Sequence, residues 1–468
     1  MQAVKKCFSR LFGEREEEAG FAVRFSNRAL AALILPLIAE QFLGLLMGAM
    51  DTIMVSSLGD ACVSGVSLID MIFILFFNIL SALATGGAVV ASRKIGAKEP
   101  EQACRSAAAL MFITLAAAML LWGLTAVWDV RLIRLLYGSI EDDVMQAAAT
   151  YMRTIAVSFP AVALYSSAAA LYRSMGNSRI TMLASSAANV LNVAGNALCI
   201  YVLKWGVFGA ALATVVSRFA LAVFFLVKIG SKKLEIHLDY RRLFRELPDR
   251  QLSRSILSVG LPGSLESGTF QLGRILVLSI ISTFGTVQIT ANAVANNIDS
   301  LGVTPGFAVQ LAVITVVGQC YGAGDRRAVK YYTSKLMRLS WAIFFVYDML
   351  LFAAMPLLLV LYKVSEEARG LAVILIFIHN GMAIPLWTPS FVLPNAMKAV
   401  GDAKYVMVFA VLSMFLFRVG LSKIFSLFGW GAIGVWIAMV ADWIARIVCF
   451  VLRWRKWCRG ETGETRLP

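Results

Sequence analysis

Long apolar runs follow one another along the chain, separated by short polar stretches. They lie near 30–57, 62–91, 105–128, 143–172, 178–203, 206–229, 254–283, 287–318, 328–354, 368–397, 404–428 and 430–452. A helix needs about 20 apolar residues to cross the hydrocarbon core of a bilayer. The pattern therefore predicts twelve membrane-spanning helices, several long enough to tilt. An outer-membrane barrel would instead alternate apolar and polar positions over segments of about ten residues, a pattern this sequence lacks. The fold class is an all-α integral membrane protein.

The pattern also repeats. Displaced by 226 residues, Leu35-Pro36 falls on Leu261-Pro262, Glu40 on Glu266, Gly59 on Gly285 and Gly96-Ala97 on Gly322-Ala323. One deletion changes the offset to 225, and then Leu136-Tyr137 meets Leu361-Tyr362, Pro160 meets Pro385, and Trp205-Gly206 meets Trp430-Gly431. Each half holds six spans. An even number makes both halves enter the membrane in the same sense, related by a pseudo-twofold axis along its normal. The expected organisation is a tail at 1–28, an N-lobe at 29–229, a cytoplasmic linker at 230–253, a C-lobe at 254–455 and a tail at 456–468. Within the linker, the segment DYRRLFREL has the composition of a surface helix. Two six-helix lobes with a site between them describe a secondary transporter.

Composition sharpens this picture. The chain is 59% hydrophobic and 15% charged, whereas soluble domains are nearer half and a quarter, which excludes an ordinary soluble enzyme. The net charge of +15 follows topology rather than nucleic acid. Of 43 Lys and Arg residues, only Arg131, Arg134, Lys204, Lys363 and Arg369 lie in the odd-numbered loops. That bias places both termini in the cytoplasm of a plasma-membrane protein. The seven cysteines have no metal-binding spacing, and His237 and His379 lie far apart, so neither zinc nor a disulfide framework is expected. Residues 1–28 are charged and lack a signal-peptide core; Val4, Phe8, Leu11 and Phe12 follow an amphipathic pattern suited to a membrane surface or to a plain solvated tail.

A duplicated scaffold supplies its own control, because a polar residue kept in one half only is not required by packing. Asp51 faces Val277 across the repeat, Tyr151 faces Ile376, Asn189 faces Met414, Asn192 faces Phe417, Asn196 faces Leu421 and Thr214 faces Met439. On the first span, Glu40, Gly44, Met47 and Asp51 share one helical face, as do Ser185, Asn189, Asn192 and Asn196 on the fifth. Counting from the outer ends, Asp51, Tyr151, Asn196 and Thr214 all lie roughly 12 Å deep at 1.5 Å per residue. A carboxylate ringed by oxygens suits a proton or Na⁺. Hydrogen bonds between helices, worth about 0.6 kcal/mol each, would explain a lone Asn or Thr. They do not explain Asp51, since a charge at that depth costs about 2.5–3.5 kcal/mol or more.

Other polar positions are less specific. Glu40 and Glu266 each follow a proline by four residues, and two roles fit both: bonding backbone freed by Pro36 and Pro262, or lining a cavity. Met47, Asn189, Gln271 and His379 are further candidates for a substrate path, although His379 in a proline-rich span reads first as a bonded core residue. Pro36, Pro160, Pro262 and Pro385 are expected kinks or hinges. Asp442 and Arg446 have the spacing of a helical ion pair. Asp70, Asp299, Arg153, Arg218 and Arg418 receive no role.

The residues reached so far resemble those of the multidrug and toxic compound extrusion (MATE) family of cation-coupled efflux transporters. The likeness lies in ILPLIAEQFLGLLMGAMDTIMVSSLG, SALATGGAVVASRKIGAKEP, NVLNVAGNALCIYVLKWGVFGAALATVVS, VVGQCYGAGDRR, MKAVGDAK and WGAIGVWIAMVADWIAR. The resemblance implies two bundles that alternate between inward and outward openings, exporting organic, often cationic, compounds as a monomer without a cofactor. It also implies an N-lobe cation site at Asp51, Tyr151, Asn192 and Thr214, with Asn196 standing where many relatives carry an acid. Asp51 is then the only carboxylate expected there, which favours protons over Na⁺ near Asp51, because Na⁺ usually takes more than one acid. The family's C-lobe Na⁺ site uses acids on spans 7 and 10; Glu266 offers one, but span 10 has only His379. Two other transporter readings compete. A lipid-linked precursor flippase would bring extra helices and an arginine-lined cavity, and a major-facilitator transporter would carry a different loop after span 2 than SRKIGAKEP. A membrane enzyme would need clustered catalytic side chains that the sequence does not present.

Overall fold

The structure, a computed structural model, describes residues 25–461 apart from Ser139, 241–247, Leu361 and Lys363. The amphipathic pattern before residue 13 and most of the DYRRLFREL segment lie outside the described residues. Twelve apolar helical passes account for nearly everything described, and no strand occurs among the described residues. They are α1 Asn27–Ser56, α2 Asp60–Gly96, α3 Pro100–Tyr137, α5 Ser178–Val202 and α6 Gly206–Ile229. Then come α7 Arg250–Phe284, α8 Thr286–Gly322, α9 Arg326–Val360, α10 Glu366–Ala399, α11 Ala403–Leu427 and α12 Gly431–Arg459. The fourth pass, α4, consists of Asp142–Ala156 and Phe159–Ser174, bent by 50°.

Proline and π-helical turns explain the irregularities. Pro160 stands in the first turn of the second α4 piece, where its missing N–H costs nothing. Pro36, Pro262 and Pro385 instead lie inside longer helices. Widened π-turns occur at Leu198–Val202 in α5, Thr388–Val392 in α10 and Met414–Gly420 in α11.

The passes sort into two compact units, and the division falls inside helices rather than in the linker. One unit is Leu35–Gly268; the other joins Thr269 onwards to the described residues before Leu35. The start of α1 is tied to α9, where the Phe25 N–H donates to Tyr332 Oη at 3.0 Å. The start of α7 packs on α2: a Cβ on Gly86 would strike the backbone of Gly260, and Ser264 Oγ donates to the Ile79 carbonyl at 2.9 Å. Between membrane helices there is little hydrophobic drive, so close approach of small residues carries the association. Gly65 meets Ala147 and Ala148 in the same way.

Burial is inverted relative to a water-soluble protein. Val127, Leu120, Leu357, Val227 and Val190 are each at least 70% exposed, while Asn192, Asn196, Asp348 and Asp442 are buried. Exposed apolar side chains with polar groups turned inward are what a lipid solvent selects.

Candidate functional site

In the unit Leu35–Gly268, α5 presents Asn192 and Asn196 one helical turn apart, each 1% exposed. Asn196 Nδ2 donates to Asp51 Oδ1 at 2.7 Å and to Asn192 Oδ1 at 3.1 Å. Asn192 Nδ2 in turn donates to Thr214 Oγ1 at 3.0 Å, and that hydroxyl donates to the Ala210 carbonyl at 3.1 Å. A chain of amides thus runs from α6 through α5 to the carboxylate on α1. Asn196 Oδ1 is left buried with no hydrogen-bond partner among the described residues.

Tyr151 joins this group through a different acid. Its hydroxyl donates to Asp70 Oδ1 on α2 at 3.1 Å. Asp51, Asp70, Tyr151, Asn196 and Thr214 together line a cavity of about 20 Å³, room for roughly one water molecule. The expectation of a lone carboxylate is therefore corrected: Asp70 is the second acid. Its mirror across the repeat is Asn296, polar as well, so the comparison between halves does not single it out.

Arg218 supplies the balancing charge. Its guanidinium donates to Ser158 Oγ at the α4 bend, 2.9 Å away, and lies 3.9 Å over the Phe73 ring. From there it acts electrostatically on both Asp51 and Asp70. With both carboxylates ionised, the Asp51–Asp70–Arg218 group holds two negative charges and one positive.

The remaining candidates lie apart from this cluster. Glu40 pairs with Arg173 at 3.6 Å and accepts from Thr181 Oγ1 at 2.8 Å. Asn189 reaches the Leu43 carbonyl at 3.4 Å, and Met47 is half-buried on α1. Glu266 belongs to the unit Leu35–Gly268, so it does not share a unit with His379; Gln271, half-buried, does. His379 Nδ1 pairs with Asp299 Oδ1 on α8, a partner that the sequence reading left without a role. The mirror positions Val277, Ile376 and Met414 are buried and apolar. Asp442 and Arg446 pair at 3.0 Å, and Arg418 joins them at 3.1 Å. Among the described residues, no group of three or more His, Cys, Asp or Glu side chains is arranged to hold a metal ion.

Known proteins share this architecture. The MatE family model matches residues 36–198 and 262–424, two copies displaced by the same 226 residues as the internal repeat. The uncharacterized transporter YisQ of Bacillus subtilis is 26% identical over 91% of this chain and 94% of its own length. The probable multidrug resistance protein NorM of Thermotoga maritima is 24% identical, covering 90% of each chain. Among solved structures, an outward-facing multidrug resistance MATE family transporter of the MOP superfamily superposes with a TM-score of 0.85. It is 22% identical, over 93% of this chain and 96% of that one.

Proposed function

This chain belongs to the MatE family, the multidrug and toxic compound extrusion (MATE) transporters, and on that premise we propose that it exports small organic molecules in exchange for one monovalent cation taken up at Asp51 and Asp70. The excess negative charge of the Asp51–Asp70–Arg218 group carries this reading. Buried charge is costly in a membrane, so the site is most stable when one cation is present and is primed to take one up when empty. A cationic substrate and the coupling cation would compete for the same excess charge, which favours alternate occupancy of the two lobe openings.

Protons are the first reading for the ion. Asp51 and Asp70 line one cavity of about 20 Å³, and a single proton on either acid removes the excess charge there without needing a full ligand shell. Na⁺ is a second reading, favoured by the paired acids and the unpartnered Asn196 Oδ1. Proteoliposomes loaded with ethidium separate the two. An imposed pH gradient should drive dye movement in the wild type and not in Asp51→Asn. Dye movement that ignores pH and follows a Na⁺ gradient would replace protons by Na⁺; movement without either gradient would sink the exchange reading.

The same reading keeps both termini in the cytoplasm, supported by the bias of Lys and Arg. Cys62, at the outer start of α2, and Cys104, near the inner start of α3, are both half-buried. An impermeant thiol reagent on intact cells should label Cys62 and spare Cys104; the reverse pattern would invert the topology. Cys320 is fully buried and gives no answer.

A further inference from the structure

A second group of ionisable side chains lies in the other unit, on α8, α9 and α10. Asp348 and Asn380 are 0% exposed, His379 4% and Asp299 9%. His379 Nδ1 meets Asp299 Oδ1, and Asn380 Nδ2 donates to Asp348 Oδ1 at 3.4 Å. Gly302 makes room for this meeting, since a Cβ there would collide with Asn380 Nδ2 and crowd Asp348 Oδ1. Three atoms of the group, Asp348 Oδ2, Asn380 Oδ1 and His379 Nε2, are buried without a hydrogen-bond partner among the described residues.

Every packed element contributes to the charge balance. From α8 comes Asp299, from α9 Asp348 and the neighbouring Tyr347 phenol, and from α10 His379. From α12 come the Trp436 and Trp443 rings, 5.2 and 4.3 Å from His379 between centroids, while Asp442 and Arg446 are engaged with each other and with Arg418. No Lys or Arg pairs with Asp299 or Asp348 among the described residues. Even with His379 protonated, the two acids carry one negative charge too many. Packing does not demand them, because across the repeat Phe73 faces Asp299, Thr154 faces His379 and Ile155 faces Asn380.

We propose that Asp348 and Asn380, backed by the Asp299–His379 pair, form a second proton-binding site, distinct from Asp51 and Asp70, whose proton is gained and lost during transport. One proton added to the Asp348 carboxylate turns an acceptor into an O–H donor. Carried on Oδ2, that proton is donated to Asn380 Oδ1 while Asn380 Nδ2 keeps donating to Asp348 Oδ1, so one proton satisfies both unpartnered oxygens. Release of the proton leaves both oxygens unpartnered again. Each helix of the group carries a proline a turn or two beyond it: Pro305 on α8, Pro356 on α9 and Pro385 on α10. Proline removes a backbone hydrogen bond and eases bending, which links the site's protonation to the shape of these helices.

The site goes beyond the reading of Asp51 and Asp70, and infrared spectroscopy tests it without relying on transport. Purified full-length protein with ¹³C-labelled aspartate, reconstituted in lipid, should show the carbonyl stretch of a neutral aspartic acid that disappears on alkalinisation. Asp348→Asn should remove that band and Asp51→Asn should leave it. Asn380→Leu, which takes away the acceptor, should shift its frequency without removing it, and serves if Asp348→Asn does not fold. In proteoliposomes, Asp348→Asn should slow pH-driven ethidium movement about tenfold. A band indifferent to both substitutions overturns the site; a band lost while dye movement keeps its wild-type rate overturns its part in transport.

Discussion

Asp51 and Asp70 border a small cavity with a guanidinium beside them, whereas Asp299 and Asp348 meet a histidine and an asparagine under two tryptophan rings. The two groups use different passes of a duplicated scaffold: α1, α2, α4, α5 and α6 in one unit, α8, α9 and α10 in the other. The same six-helix plan has therefore been given polar interiors that are not copies of one another. Duplication holds the packing in common, through Gly, Pro and Trp at matched positions. The unmatched polar residues are what each half adds. The first group lines a small cavity, and the second keeps three buried atoms without a hydrogen-bond partner among the described residues.

The largest expected effect comes from removing the second acid of the first group. Asp70→Asn leaves Asp51 facing Arg218, a neutral pair with no excess charge for a cation to cancel. The cost of a charge at mid-membrane, about 2.5–3.5 kcal/mol at the low end, corresponds to roughly 100-fold in affinity at 1.4 kcal/mol per factor of ten. Gradient-driven ethidium movement in proteoliposomes should fall by about that factor, with the variant still monodisperse in detergent. If Asp70→Asn moves dye at the wild-type rate while Asp51→Asn does not, Asp51 acts alone, and the contrast between a paired-acid site and a histidine-linked one disappears.

How much of this was legible beforehand depends on the kind of signal. The twelve passes were readable because lipid imposes length and composition on each span. Asp51, Asn192, Asn196 and Thr214 were readable because helical spacing aligned them and the other half replaced them with apolar residues. Asp70 was not assigned, because depth alone cannot say whether the Tyr151 hydroxyl turns towards α1 or α2. Glu40 was ambiguous because its partners Arg173 and Thr181 are 133 and 141 residues away in sequence, so no local pattern links them. The Asp299–His379–Asp348–Asn380 group escaped for a different reason. Asp299, His379 and Asn380 stand in the second half opposite Phe73, Thr154 and Ile155, so the candidate residues of the first half point to none of them. The division of α1 and α7 between units rests on backbone contacts such as Gly86 with Gly260, which hydropathy does not register.

The smallest expected effect separates the carboxylates from the amide chain that holds them. Thr214 touches neither acid; its hydroxyl accepts from Asn192 Nδ2, and Asn192 Oδ1 accepts from Asn196, whose amide reaches Asp51. Thr214→Val keeps the shape and the buried volume but removes the acceptor at the far end of the chain. A hydrogen bond between membrane helices is worth about 0.6 kcal/mol on average and up to about 1.7, so the apparent affinity for the driving ion should weaken about threefold to about 15-fold. Because both carboxylates and Arg218 remain, the maximal rate at saturating gradient should stay within about twofold of wild type. The paired measurement is the dependence of initial ethidium flux on the size of the imposed gradient, fitted for half-saturation and plateau. A lost plateau with unchanged half-saturation would mean that Thr214 serves the conformational step rather than the site, and the amide chain would have to be read as packing.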